Sequence, residues 1–161
     1  MSKMLNGTTS ERHVHVDATP AEVYGLVSDV TRMGEWSPET TKCVWMNGPT
    51  GPAVGALFKG TNKHGLMTWS TKPTVIVADP GREFAFEIEG VIKWTYQFDA
   101  DGTGTKLSES FELLRDLPWY YAVAQRWGMG VKDRRADLEH GIEVTLDRIK
   151  KVLETHASDR N

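Results

Sequence analysis

Hydrophobic and polar positions change period along this chain. Between Phe84 and Leu113 the bulky residues fall on alternate positions: Phe84, Phe86 and Ile88, then Ile92, Trp94, Tyr96 and Phe98, then Leu107, Phe111 and Leu113. A period of two puts each set on one face of a strand and the polar residues on the other. From Val131 to His156 the spacing lengthens, and Leu138, Ile142, Leu146, Ile149 and Leu153 recur at steps of four, four, three and four residues. That is the stripe of a long amphipathic helix with one face to bury. The strands carry the matching surface, so the pattern predicts a long helix on one side of an antiparallel sheet. Aromatic bulk on that surface favours a sheet that curls around the helix and leaves a lined hollow between them.

Upstream, Arg12 to Asp17 alternates, with Val14 and Val16 toward a core and His13 and His15 outward, which reads as a first strand. Thr19-Pro20-Ala21-Glu22 is a helix start: threonine caps, proline takes the first helical position and glutamate reaches back. This helix runs to about Ser28. Asp29 caps a second short helix, which Trp36-Ser37-Pro38 stops, because the residue before proline is pushed out of the helical region. Turn signals follow at Asn47-Gly48-Pro49, Lys63-His64-Gly65, Asp79-Pro80-Gly81, Glu89-Gly90 and Asp101-Gly102. They divide the middle of the chain into strands near 41–47, 54–63, 66–78, 82–89, 91–99 and 104–114, a meander of seven strands counting the first. Pro118 opens a shorter helical segment that Gly128-Met129-Gly130 interrupts before the long helix. Met1 to Ser10 is small and polar with no period, and reads as a flexible tail on one domain spanning 1–161.

Composition narrows the function classes. At 161 residues the chain can bury a core without disulfides or metals. Lys and Arg number 19 against 22 Asp and Glu, a net charge of -3, so no global basic field exists to hold nucleic acid. The single cysteine, Cys43, excludes an internal disulfide and a multi-cysteine metal site. No apolar run has the length of a signal peptide core or a membrane span, which leads us to expect a cytoplasmic protein without integral membrane association.

Local wording sharpens the picture. Ala18-Thr19-Pro20-Ala21-Glu22-Val23-Tyr24, the Trp36-Ser37-Pro38 stop and His140-Gly141-Ile142-Glu143-Val144-Thr145-Leu146 occur within an order of strand, two short helices, six strands and a long helix. This resembles the START-like (SRPBCC) superfamily, and within it the polyketide cyclase/dehydrase and lipid-transport group, over roughly Arg12 to Leu153. The resemblance implies an α+β helix-grip fold: a curved seven-stranded antiparallel sheet around a long C-terminal helix, with two short helices after the first strand. It also implies a cavity between sheet and helix for a lipid, sterol, quinone or polyketide. Some such proteins are cyclases or aromatases and others only carry ligands, and fold alone does not choose between them.

Strand parity selects the candidate lining. With Phe84, Phe86, Trp94, Tyr96 and Phe98 inward, the preceding hairpin turns Phe58, Met67 and Trp69 inward as well. Such walls suit a flat or greasy ligand, and Trp94 and Tyr96 add polar tips; the alternative is that these rings simply fill the core. Glu109 shares the face of Leu107, Phe111 and Leu113, which places a carboxylate in an apolar interior where charge is costly. It calls for a partner, with Arg134, Arg135 or Arg126 available, and a raised pKa would make it a proton donor or acceptor and a weak catalytic candidate. A bulge that turns Glu109 outward, or a plain ion pair, is the alternative. Trp127 and Arg134, from the segment leading into the long helix, complete the predicted ligand-binding set.

Other chemistry-bearing residues carry less. Trp119-Tyr120-Tyr121 with Leu117 and Val123 forms an apolar patch that reads as a lid, a dimer contact or ordinary packing, with the glycine break beside it as a hinge. His64 falls in a turn near the cavity mouth and is expected to be solvent-exposed; His140 faces solvent. His13 and His15 lack a third ligand, so no metal site is predicted. Cys43 has no nucleophile signature around it, and the glycines at 48, 51, 55 and 60 lack the Gly-Lys-Ser/Thr ending of a phosphate loop. No complete catalytic set and no cofactor motif emerge. The expectation is a monomer or homodimer that binds or transports a hydrophobic or amphipathic small molecule. A cyclase, aromatase or dehydratase using Glu109, Tyr96 or an arginine is the alternative, and an interaction module with a collapsed cavity is the second.

Overall fold

Thr19 and Glu22 close the capping box in both directions, so α1 (Pro20–Val27) begins where the sequence places it. The computed structural model describes residues 4–48 and 51–159; Pro49, the last residue of the first predicted turn, lies outside the described residues. Asp29 caps a 3-10 helix, Val30–Glu35, through the Thr31 N–H. The strands are β1 (Thr9–Val16), β2 (Thr40–Trp45), β3 (Phe58–His64), β4 (Met67–Thr71), β5 (Pro73–Asp79), β6 (Glu83–Ile88), β7 (Ile92–Asp101) and β8 (Gly104–Leu113). Then come α2 (Trp119–Ala124), a π-helical turn (Gln125–Met129) and α3 (Arg134–Ser158). This is the predicted α+β helix-grip arrangement.

The strand count differs in one place. The single strand expected over 66–78 is two, because Pro73 has no N–H to continue a ladder and sits as the first residue of β5. β4 pairs with β3, and β5 leaves to pair with β6. Among the described residues eight antiparallel strands therefore form two sheets, β1-β8-β7-β6-β5 and β2-β3-β4. The sheets stay stitched at the break: Gly55 N–H donates to Val75 O at 2.8 Å and Val75 N–H to Ala56 O at 2.9 Å. The N-terminal segment also departs from expectation. Thr9 and Ser10 belong to β1, Gly7 N–H donates to Leu113 O, and Leu117 N–H donates to Met4 O, so residues 4–10 are held against the end of β8 rather than forming a tail. Main-chain pairing of this kind leaves no mark on side-chain pattern.

α3 starts at Arg134, slightly later than its apolar period suggests, because the Asp133 carboxylate accepts from the Arg135 and Ala136 N–H groups. It buries Leu138, Ile142, Thr145, Leu146 and Ile149. α1 buries Val23, Tyr24, Leu26 and Val27. The Tyr24 ring stands edge-on to Phe98 at 5.5 Å and to Phe84 at 6.4 Å, packing that ties α1 to the sheet. The inward face of the large sheet is thus divided: one part lies under α1, and the rest faces α3.

Candidate ligand cavity

The part of the sheet not filled by α1 borders an open-mouthed hollow of about 1170 Å³, lined by the large sheet, the small sheet and α3. Cross-strand register builds the floor. Phe86 stands opposite Trp94, Trp94 opposite Phe111, and Tyr96 opposite Glu109. Phe86, Trp94, Tyr96 and Glu109 all line the hollow. Phe58 and Trp69 contribute from the small sheet, and Leu138, Ile142 and Thr145 from α3.

Four of the predicted contacts lie elsewhere, Met67 among them, whose side chain packs at Gly128 instead. Phe84 and Phe98 are outside the lining because Tyr24 packs on them. Trp127 is 79% exposed. The π-helical turn sets Gln125 and Met129 inward and leaves Trp127 outside. Gln125 lines the hollow, and sequence reasoning missed it; the available signal was one uncharged polar residue inside the apolar run from Trp119 to Trp127. Asn62 was missed as well. It is buried on the wall, accepting from Thr40 Oγ1 at 2.7 Å and donating to Thr71 Oγ1 at 3.3 Å.

Glu109 is turned inward and is 3% exposed. Its partner is none of the three arginines but Tyr96, whose hydroxyl donates to Oε1 at 3.0 Å. Arg134 is engaged by Glu39 and Asp137, Arg135 by Glu139, and Arg126 is exposed. Burial pushes the Glu109 carboxyl up to about 8, against the opposing effect of the Tyr96 hydrogen bond. Tyr96 is itself held well above the ordinary phenol range, by burial first and then by Glu109. At neutral pH Glu109 is thus a neutral acid at the floor of an apolar hollow, a group able to donate a proton or a hydrogen bond.

A charged cluster stands at another part of the lining. Arg134 Nη1 lies 2.5 Å from both Glu39 Oε1 and Asp137 Oδ2, and Nη2 lies 3.1 Å from Glu39 Oε2. Burial opposes the guanidinium charge, but the two carboxylates raise its pKa above the ordinary value. His64 is half-buried, not solvent-exposed, with Nε2 3.2 Å from Asp137 Oδ1, so it ties the β3–β4 hairpin to α3. Glu39, His64 and Asp137 bring their ligand-type atoms within 4.8 Å of one another. The guanidinium already supplies a positive charge to both carboxylates, and the arrangement reads as an ion-pair cluster. The hairpin tip also meets the π-helical turn: Leu66 N–H donates to Gly128 O at 2.9 Å, and a Cβ on Gly128 would overlap Met67 Sδ. The glycine break serves this close approach.

The remaining candidates fall into place. Tyr120 and Tyr121 line the hollow, while Trp119 is 80% exposed and α2 has no buried residue. Cys43 also lines the hollow, but burial pushes its thiol up to about 12 and its Sγ faces Met33 Sδ at 3.9 Å, which makes it inert as a nucleophile. His15 spends both ring nitrogens on Asp101, at 2.8 Å, and Asp17, at 3.0 Å.

Residues 7–154 match a family described as polyketide cyclase/dehydrase and lipid transport. A Polyketide_cyc-like protein from Corynebacterium glutamicum, solved in solution, is 37% identical, with 92% of this chain and 93% of that chain covered and a TM-score of 0.63. The di-domain ARO/CYC StfQ of the steffimycin biosynthetic pathway is similar at a TM-score of 0.72 and 13% identity, covering 93% of this chain and 51% of that one. Major latex-like protein 151 of Panax ginseng is similar at a TM-score of 0.68 and 13% identity, covering 91% and 97%. At 13% identity these last two speak for the fold alone. No curated protein matches the chain in sequence. Among the described residues no helix is long and apolar enough to cross a membrane.

Proposed function

The chain belongs to the polyketide cyclase/dehydrase and lipid-transport family, and from that membership we propose that it binds or carries a hydrophobic or amphipathic small molecule between the sheet and α3. The observation that carries this reading is the hollow itself. At about 1170 Å³ it exceeds the upper end, about 1,000 Å³, of ordinary small-molecule pockets, so it has room for a ligand larger than a typical drug. Aromatic rings from both sheets face it, and a guest that covers them removes apolar surface from water. The test is native mass spectrometry of freshly purified protein, followed by organic extraction and titration with an apolar fluorescent dye. A retained mass that extraction releases, or saturable dye binding, is the expected result. Protein that retains nothing and binds no dye overturns the reading.

A second reading, a cyclase- or dehydratase-type enzyme, draws on the protonated Glu109 beside Tyr96. A carboxyl that keeps its proton at neutral pH suits general-acid work on a carbonyl or hydroxyl oxygen of a positioned chain. The two readings separate on Glu109→Gln. An enzyme loses turnover of the extracted ligand while still binding it, whereas a carrier returns that ligand chemically unchanged in both forms.

A further inference from the structure

Six of the nine large apolar side chains exposed among the described residues sit together: Trp119, Tyr120, Tyr121 and Val123 on α2, Trp127 on the π-helical turn that continues it, and Leu66 at the tip of the β3–β4 hairpin. The Leu66 N–H donates to Gly128 O at 2.9 Å, which fixes the hairpin tip beside Trp127. α2 reads Trp-Tyr-Tyr-Ala-Val-Ala, with no polar residue and no buried one. A helix apolar on every side is normally found inside a core. Here all six residues are exposed, and Leu66 is 92% exposed. A contiguous patch of this kind marks a surface that something else covers.

Charge says what covers it. Within 115–132 the cations are Arg115, Arg126 and Lys132, all exposed, and Lys63 is exposed on the hairpin. The one carboxylate of that stretch, Asp116, accepts from the Asn6 N–H at 2.6 Å. A chain of net charge -3 thus carries a local excess of positive charge around its exposed aromatic patch. The polar tips of the rings have a matching character, because indole N–H and phenol O–H groups donate. Phospholipid phosphate and ester oxygens accept, and tryptophan and tyrosine settle where such headgroups meet acyl chains. A second copy of the chain fits less well, since a twofold contact through this face would bring one cationic rim onto another. With six residues α2 falls far short of the about 20 that cross a bilayer core, so the contact is with the surface.

We propose that this face, α2 with the π-helical turn and the hairpin tip, docks on an anionic phospholipid bilayer, with Trp119, Trp127 and Leu66 entering the acyl boundary and Arg126 and Lys132 meeting lipid phosphates. The docking goes beyond the carrier reading and does not depend on it. Tyr120 and Tyr121 also line the hollow, so a bilayer held by this face lies against the rim of the cavity.

The experiment sediments the full chain with vesicles of phosphatidylcholine alone and of phosphatidylcholine with phosphatidylglycerol in equal parts. Binding to the mixed vesicles is expected to be at least about tenfold tighter than to phosphatidylcholine, and to weaken as salt is raised. Trp119→Ser combined with Trp127→Ser weakens binding to the mixed vesicles by at least about tenfold, since each ring withdraws apolar surface from water on insertion. Arg126→Gln combined with Lys132→Gln weakens it by about tenfold and leaves binding to phosphatidylcholine unchanged. No binding to the mixed vesicles, equal binding to both kinds, or full binding by the tryptophan variant overturns the docking. So does a dimer in lipid-free sedimentation that the tryptophan variant abolishes, which gives the face to a second copy. Saturable dye binding in lipid-free solution with no vesicle binding overturns the docking and leaves the carrier reading standing. If the tryptophan variant does not fold, the Arg126 and Lys132 variant decides alone.

Discussion

Replacing Glu109 by glutamine should change how the stability of this protein depends on pH. Burial raises the carboxyl from its ordinary 4.5 to about 8, so the folded chain keeps a proton that the unfolded chain releases near 4.5. The folded state therefore binds more protons between those two values. Stability is fully present below 4.5, falls as pH rises from 4.5 to about 8, and levels off above that, where both states are ionised. At about 1.4 kcal/mol per pH unit the whole fall is about 5 kcal/mol, and water admitted to the hollow makes this a ceiling. Such a fall is a large part of the about 5–15 kcal/mol that holds a domain folded. Neither neighbouring ionisable group interferes in this window, because burial holds the Cys43 thiol up at about 12 and Tyr96 above the phenol range. Arg12, the β1 residue paired with Glu109 in register, is 3.5 Å from Glu139 and 3.5 Å from Glu143 and is engaged there. Glutamine keeps the shape, accepts from Tyr96 and does not titrate. Urea unfolding of both forms at pH 5, 7 and 9, followed by far-ultraviolet circular dichroism, cancels the groups they share. The variant should gain on the parent steadily with pH, by several kcal/mol between pH 5 and pH 9. Parallel profiles across that range would refute the burial argument.

Three further outcomes follow from the same geometry. Phe84→Ala, at a fully buried ring under α1 and outside the cavity lining, should lower stability by about 3–5 kcal/mol in chemical denaturation, because it removes the contact with Tyr24 and leaves a void. Arg134→Met should lose about 3 kcal/mol, since Glu39 and Asp137 are left facing one another without the guanidinium, with only His64 beside them; adding Glu39→Gln should recover part of that loss in a double-mutant cycle. Trp119→Ser and Trp127→Ser, at side chains 80% and 79% exposed, should each leave the unfolding free energy within about 0.5 kcal/mol of the parent.

Much of this fold was legible because its signals are local. A threonine three residues before a glutamate can only form a capping box with its own neighbours, and Thr19 and Glu22 do. Alternation along β6, β7 and β8 named the inward rings, and the stripe of α3 named Leu138, Ile142, Leu146 and Ile149, all buried. The same parity argument turned Glu109 inward. It could not name the partner, because Tyr96 meets Glu109 through the register between β7 and β8. Charge alone pointed to arginine, but Arg134 is taken by Glu39 and by Asp137 of its own helix, Arg135 by Glu139 of the same helix, and Arg126 is exposed.

The division between the two levels is physical. Period and capping are interactions between residues a few positions apart, so the amino-acid order by itself determined the helices, most of the strands and which face of each is apolar. Where apolar faces are filled and where they are left open depends on which elements cross them. Tyr24 of α1 claims Phe84 and Phe98, while Phe86, Trp94 and Tyr96 are left to the hollow. The cluster of Glu39, His64, Arg134 and Asp137, and the shared cavity of Glu109 and Gln125, join segments far apart in the chain. Only the packed tertiary structure, by bringing those segments within a few ångströms, decided what the site contains.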